Sequence, residues 1–492
     1  MNGLNKDIFF SVSTPVVHRM DQRVVDRPSS IVVPSRYLSL SIAHFPLDQN
    51  FVMASPLPSL SSSTDTTERV PIVRREDALL LLRQTEFANP NDDGFWCGRI
   101  FAAPPPRRRS ARRGPSHGLP KPTVVWKSDA KPRDDHDAPE WLTASEYEDK
   151  GVARNMKVSQ LAALLRMSKK TVVYSGAGIS RAAGIGQAAR GGSSGGGGVN
   201  RTTTANPTFT HYALAKLAGA GLVHGWVQQN HDGLPQKAGF PQERINEVHG
   251  SWYDPSNPVV LYSGNLKQHE CEWMEQDANT ADLALVLGTS LGGLNADRVA
   301  TNTADRSLRG RSLGMVLINL QQTALDGEST LRLFGKTDDV LGSLLAELGV
   351  AAPLERPFVF TGSRRVVVPY DEDGNRSSTV RMWWDLSVGA KIKLNKNHNI
   401  QGAKQPIYMH IGAKRAKTIY GVRYEPGYGH GVVKRWSNQK VGIDLHVDRV
   451  HMLLGQWWLD AAIRGGPLTI PVINPEPVLV QGETKTKRRT RK

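Results

Sequence analysis

Apolar and polar positions divide the chain into stretches of different texture. From Val158 onward, apolar residues recur at helical spacing (Val158, Leu161, Ala162, Leu165), and a short β-branched and aromatic run at 171–174 follows. Further apolar runs at 222–227, 283–287 and 315–318 read as strands, with helical patterns between and after them at 211–217, 270–278 and 340–348. Strands alternating with helices predict a parallel sheet covered by helices on both faces. Residues 1 to about 140 carry no such repeat. Segment 55–67 is rich in Ser, Thr and Pro, and 103–114 is dominated by Pro and Arg, so neither offsets the entropy of folding. A largely disordered extension is expected over 1–144, with one short, isolated helix at 77–83. The run GGSSGGGG at 191–198 is expected to be a mobile loop. After Pro353, short runs at 364–368, 378–384, 390–394, 406–411, 418–424 and 441–447 are separated by Gly, Asn and Asp turns. They predict a small, mainly antiparallel β domain over 351–480, a barrel or sandwich, with a basic tail at 481–492.

Composition narrows the class. A chain of 492 residues holds two or three domains on the usual scale of roughly 100–200 residues each. No apolar run approaches the ~18 residues that cross a bilayer, and the N-terminus has no extended apolar region of the secretory kind. A soluble intracellular protein without membrane contact is expected. The two cysteines, Cys97 and Cys271, exclude a disulfide framework and a four-thiolate zinc site, so no metal centre is expected. Residues 355–492 hold 24 Lys and Arg against 11 Asp and Glu, most of the net charge of +16. Such a segment either attracts polyanions, nucleic acid first, or serves as a solvated face.

The strand at 171–174 runs straight into Ser175-Gly176-Ala177-Gly178-Ile179-Ser180. A glycine-rich turn between strand and helix lets the backbone approach a pyrophosphate and aims a helix N-terminus at its charge. Two glycines after a strand also make a plain turn. Polar residues gather at the ends of other apolar runs: Gln229-Asn230-His231-Asp232-Gly233-Leu234, Leu287-Gly288-Thr289-Ser290-Leu291 and Leu317-Ile318-Asn319, with Val248-His249-Gly250 between the first two. In open α/β sheets ligands bind at that carboxyl edge. The hydroxyls and glycine of 288–290 suit phosphate or ribose oxygens, and Asn319 suits a ribose or base. His249 reads as a structural or a catalytic imidazole.

These motifs, together with Gly184-Ile185, Pro207-Thr208 followed by His211 and Ala213-Leu214, and Gly335 followed by Asp338, resemble in order and spacing those of the sirtuins, the Sir2-like NAD-dependent protein deacylases. The resemblance spans about 145–350. It implies a Rossmann-like doubly wound sheet, NAD as cofactor, and cleavage of the nicotinamide–ribose bond driven by an acyl-lysine of a protein substrate, the acyl group passing to ADP-ribose. His249 matches the family's general base, and an imidazole titrating near ~6.5 suits that task. The resemblance further implies that Asn230 and Asp232 orient the ribose and the nicotinamide amide. Gly176, Ala177, Gly178, Ser180, Gln229, Gly288, Thr289 and Ser290 fall in the cofactor-binding motifs, the glycine turn and Thr289-Ser290 on the phosphates, and Asn319 on the adenosine ribose.

Three departures stand out. The family continues GIPDFR where this chain has Gly184-Ile185 followed by Gly186-Gln187-Ala188-Ala189-Arg190, leaving Arg190 as a shifted stand-in for the motif's Arg. Sirtuins place two cysteine pairs after the His-Gly motif, whereas 251–257 here holds none. Gln228 and His231 replace the usual Thr and Ile of the TQNID motif, and the substrate strand at 259–266 also differs. Beside the deacylase, two other readings stay open: an NAD- or ADP-ribose-binding protein with weakened turnover, and a mono-ADP-ribosyltransferase. A separate expectation is that the basic segments tether the protein to chromatin or RNA, with histone as a substrate and the nucleus favoured over the cytoplasm. Trp383-Trp384 and Trp457-Trp458, with the basic residues at 414–417 and Lys434-Arg435, read as core or as a stacking surface for nucleic acid.

Overall fold

A computed structural model describes residues 74–88, 95–101, 119–132, 139–186, 203–260, 266–292, 295–395, 430–447 and 450–481. The glycine run at 191–198, Arg190, the basic segments 107–113, 414–417 and 485–492, and the runs at 406–411 and 418–424 lie outside the described residues.

Helix α1 (Arg75–Gln84) and an antiparallel hairpin of β1 (Thr123–Trp126) with β2 (Glu146–Glu148) precede a β–α alternation. It runs α2 (Gly151–Met167), β3 (Thr171–Ser175), α3 (Phe209–Gly219), β4 (Gly225–Gln228), the single turn α4 (Leu234–Lys237), β5 (Ile245–Glu247), α5 (Gln268–Thr280) and β6 (Leu283–Leu287). It closes with α6 (Arg298–Leu308), β7 (Gly314–Asn319), β8 (Leu331–Phe334) and α7 (Thr337–Leu348). The six strands β3 to β8 form one parallel sheet in the order β5-β4-β3-β6-β7-β8. This is the doubly wound order, with the direction of progression reversing between β3 and β6. Period-two alternation splits each strand between two cores. Val173, Leu285 and Val316 face the α2, α3 and α7 side, while Val172, Ala284 and Leu317 pack with Met274 of α5 and Val299 of α6.

Within the described residues 74–88, 95–101 and 119–132, the expectation of an unstructured extension is corrected. Helix α1 is anchored rather than isolated. The Arg75 guanidinium donates to both Asp282 carboxylate oxygens (2.6 and 2.7 Å) and to the Met167 carbonyl (2.8 Å), and Ala78 and Leu82 are fully buried. Arg99, also fully buried, donates to the Thr85 carbonyl (2.9 Å), the Ser307 hydroxyl (2.6 Å) and the Leu82 carbonyl. Burial pulls its guanidinium down to about 10.

Beyond α7 come β9 (Arg365–Val368), β10 (Val380–Asp385), β11 (Lys391–Leu394), β12 (His430–Ser437), β13 (Gly442–Val447), β14 (Val450–Gly455), α8 (Trp457–Arg464), β15 (Val472–Ile473) and β16 (Leu479–Gln481). They make two antiparallel sheets, β16-β10-β9 and β14-β13-β12-β11-β15, around one apolar core. Trp384, Trp457 and Trp458 lie in that core, so for them the core reading holds; Trp383 is half-buried, with the Arg365 guanidinium 5.0 Å over its ring. Lys434 and Arg435 are exposed, and Arg435 pairs with Asp444 at 2.9 Å.

Candidate active site

The sheet register brings the sequence motifs to one edge. Glu247 pairs with Gln228, Gln228 with Ser175, Ser175 with Leu287, and Leu287 with Ile318, a single row across five strands. The residues just past that row are Val248-His249, Gln229-Asn230, Gly176, Gly288 and Asn319. They open on a cavity of about 1010 Å³ at the carboxyl edge, beside the reversal between β3 and β6. Gly176, Ala177, Gly178, Gln229, Asn230, His249, Gly288, Thr289, Ser290 and Asn319 all line it.

Two glycine turns meet at its floor. The Gly178 N–H donates to the Gly288 carbonyl at 2.8 Å, and a Cβ on Gly178 would stand 2.6 Å from the Gly288 Cα. The backbones touch because neither residue has a side chain. The element after β3 is a short 3-10 helix, Ala177–Ala183, in place of the α-helix expected from the strand–turn–helix reading. Gln229 donates to the Thr289 hydroxyl (3.1 Å) and Asn319 to the Thr289 carbonyl (3.1 Å), so both hold the 288–290 turn from either side.

Asn230, Ser180 and Asp232 form a relay. The Asn230 amide donates to the Gly176 carbonyl (3.1 Å) and the Ser180 hydroxyl oxygen (3.0 Å), and Ser180 donates to Asp232 (2.6 Å). The other Asp232 oxygen accepts the Leu234 N–H at 3.0 Å. Ser180 and Asp232 are buried and are not among the cavity-lining residues, so they stand one layer behind its wall. Burial raises the Asp232 carboxyl above its ordinary value, and these hydrogen bonds oppose that shift. Burial lowers the His249 imidazole below its ordinary value, against a smaller opposing hydrogen bond to the Gln229 backbone. Gly250, at φ +86°, makes the turn after it; a Cβ there would stand 2.2 Å from the Pro258 carbonyl oxygen. His231, the departure from the family's Ile, places Nδ1 2.8 Å from the Gly250 carbonyl and so ties the two motifs together.

Gly335 and Asp338 of the last motif also line the cavity, whereas Thr208 and His211 frame it from outside. Thr208 and His211 form a capping box at the start of α3, and the Thr208 hydroxyl donates to the Ile179 carbonyl (3.0 Å). Sequence reasoning missed one wall altogether. Val125, Trp126, Glu146 and Glu148 of the β1–β2 hairpin line the cavity, and Glu146 pairs with Arg181 at 2.9 Å. The hairpin is fixed by the Tyr147 N–H donating to the Leu320 carbonyl (2.9 Å), a contact with no local sequence signal.

No family model matches the chain. Among curated relatives, the NAD-dependent protein deacetylase SRT1 of Arabidopsis thaliana is 25% identical over 349 residues, 58% of this chain and 71% of that protein. Human NAD-dependent protein deacetylase sirtuin-7 is 31% identical over 248 residues, 40% of this chain. Over this matched region the chain is similar to the sirtuins. The match spans 61% of human sirtuin-7, less than two thirds of its length. A solved Sir2 enzyme aligns with 39% of this chain and 98% of its own, at 25% identity and a TM-score of 0.33. The Asn230–Ser180–Asp232 relay, the glycine floor and the His249 imidazole thus meet at one sheet edge, and the β1–β2 hairpin adds a further wall.

Proposed function

We propose that this chain is a sirtuin-type NAD-dependent protein-lysine deacylase, with the catalytic unit over about 145–350 and a basic β-rich domain over 351–480. The observation that carries the reading is the convergence of His249 and Asn230 with both glycine turns on one cavity. The residues present fit NAD. The cavity is at the upper end of small-molecule sites, and Gln229, Asn230, Thr289, Ser290 and Asn319 supply amide and hydroxyl groups around a floor too tight for any Cβ. When bound, NAD supplies a ribose carbon that accepts the acyl oxygen of a substrate lysine as nicotinamide departs.

The chain's own residues do the rest. His249, held neutral near pH 7 by burial, takes the proton of a ribose hydroxyl. Asn230, with its Nδ2 engaged on Gly176 and Ser180, offers Oδ1 to the ligand. Asp232 acts in this geometry through Ser180, setting the direction of Asn230. The 176–178 and 288–290 turns hold the phosphates, and Asn319 the adenosine ribose.

Nicotinamide release from NAD, with and without an acetyl-lysine peptide, tests the reading in the wild type and in His249→Ala. Peptide-dependent release that the substitution abolishes is expected. Release without peptide would instead favour mono-ADP-ribosyl transfer or hydrolysis, and NAD binding without release would favour a binding protein. The same proposal extends to a nuclear, chromatin-associated substrate such as a histone, supported by the basic segments of 107–113 and 355–492. Salt-sensitive binding of the full chain to duplex DNA or RNA is expected; no binding at low salt would remove that part.

A further inference from the structure

The zinc module implied by the family resemblance has no donors here. Its place, 251–257, reads SWYDPSN, and its one carboxylate is spent within the loop: Asp254 accepts the Ser256 N–H (2.7 Å) and hydroxyl (2.6 Å). Among the described residues, no group of three His, Cys, Asp or Glu side chains is placed to hold a metal ion. Something else must order the loop that follows His249.

The loop is pinned at both ends. Toward the cavity, the Val260 N–H donates to the His249 carbonyl (3.0 Å) and the Trp252 N–H to the His231 carbonyl (2.9 Å). At its far side, Tyr253 leaves the sheet domain and enters the core of the C-terminal β domain. Its ring is fully buried, 5.0 Å from the Trp457 ring, and its single hydroxyl proton is shared between the Lys440 carbonyl (2.9 Å), on the turn before β13, and the Thr203 carbonyl (2.6 Å). Its own carbonyl accepts the Gly455 N–H at the end of β14 (3.0 Å).

The junction reaches the Asn230 motif as well. Gly233, next to Asp232 and at φ +63°, lies under both rings: a Cβ there would meet Tyr253 at 2.7 Å and Trp457 at 3.0 Å. Trp457 also donates its indole N–H to Gln242 (2.8 Å), and the Phe358 N–H, from the linker between the domains, donates to the Lys237 carbonyl (2.6 Å). The Lys237 ammonium sits 5.0 Å over the Tyr253 ring. The 229–234 turn and the 249–260 loop therefore share one aromatic contact, and half of it belongs to the β domain.

We propose that the C-terminal β domain does the structural work of the missing zinc module, with Tyr253 and Trp457 as positioning residues that hold the Asn230 turn and the His249 loop in register. The placement rests on geometry alone, while its effect on turnover rests on the deacylase reading above. The two are separated by reading order and activity independently. Hydrogen–deuterium exchange on the full chain carrying Trp457→Leu should show at least tenfold faster exchange in 229–234 and 249–260, with 283–291 unchanged. Unchanged protection in the first two segments would overturn the proposal. So would loss everywhere, because the role would then be global folding. Tyr253→Phe, which keeps the ring and removes only the shared hydroxyl bond, should give the same pattern more weakly. If the enzyme turns over, Trp457→Leu should lower kcat for nicotinamide release at least tenfold, with a smaller loss of NAD affinity, because the phosphate turns lie on other strands while Gln229 and Asn230 lie in the loosened segment. Elemental analysis of the purified chain should find no stoichiometric zinc, and one zinc per chain would also overturn the proposal.

Discussion

The Ser180 hydroxyl donates to the Asp232 carboxylate at 2.6 Å, across 52 residues of sequence. Through that one bond the turn after β3 and the turn after β4 become a single object, since Ser180 also receives the Asn230 amide. Removing the hydroxyl leaves a buried carboxylate short of a donor, a loss of about 1–3 kcal/mol. Ser180→Ala should also lower kcat/KM for nicotinamide release by about tenfold or more, because a small misplacement of a positioned group is costly. Steady-state kinetics and urea unfolding check both parts. Wild-type kinetics would mean that the Gly176 carbonyl alone orients Asn230.

Gly178→Ala tests the floor of the cavity. The new Cβ would lie 2.6 Å from Gly288 backbone atoms, so the two turns must part. NAD affinity by calorimetry is expected to fall at least tenfold, with the circular dichroism of the sheet and helices retained. An unchanged affinity would show that the phosphates do not rest on this contact.

His211 sets part of the acid sensitivity. It is fully buried in the Thr208 capping box, and burial pushes its imidazole down to about 3. Between that value and the ordinary ~6.5, the unfolded chain binds a proton that the folded chain does not. This group's contribution to stability is therefore complete above pH ~6.5 and declines as pH falls toward about 3. Between pH 7 and pH 5 it amounts to about 2 kcal/mol. His211→Asn, whose side-chain oxygen can still accept the Thr208 N–H, should lose less stability over that interval than the wild type. Urea unfolding at the two pH values measures it, and equal losses would remove the assignment.

The N-terminal segment should prove part of the folded domain. Arg75 is bidentate on Asp282, which retains only the Lys169 N–H (2.8 Å) among these bonds when the guanidinium is removed. Arg75→Ala is expected to destabilise the protein by about 1.5–3 kcal/mol, more than an exposed pair would. Denaturant unfolding gives the number, and a change within about 0.5 kcal/mol would show that α1 is dispensable.

The parallel sheet and its polar edge were legible from the chain because the signals are local. Strands β3, β4, β6 and β7 are short apolar runs, each followed within a few residues by the glycine, amide or hydroxyl that lines the cavity, whereas β5 (Ile245-Asn246-Glu247) and β8 (Leu331-Arg332-Leu333-Phe334) carry polar residues and gave no such run. Gly176-Ala177-Gly178, Gln229-Asn230 and Gly288-Thr289-Ser290 therefore carry their position with them. Once five strands align their ends in one row, those residues have nowhere else to converge. The antiparallel character of the C-terminal domain was legible for the same reason, from β-branched runs between turns, although β12, β14 and α8 gave no such outline.

The sequence by itself thus determined a parallel sheet whose strands end in glycine, amide and hydroxyl groups, and, through the family resemblance, the doubly wound order and the roles expected of His249 and Asn230. Tertiary structure alone decided the rest. Arg99 reads as one more surface cation, yet it is buried because Ser307 and the 82–85 carbonyls, distant or irregular in sequence, satisfy its donors. Trp126 and Glu146 became a cavity wall because Glu146 of the hairpin bridges to Gln321, just past β7. Tyr253, in a loop with no pattern, became the hinge pin of the site because Trp457, some two hundred residues later, closes over it. Periodicity records which face a residue turns within its own element, and it holds no record of what a distant segment will bring to cover it.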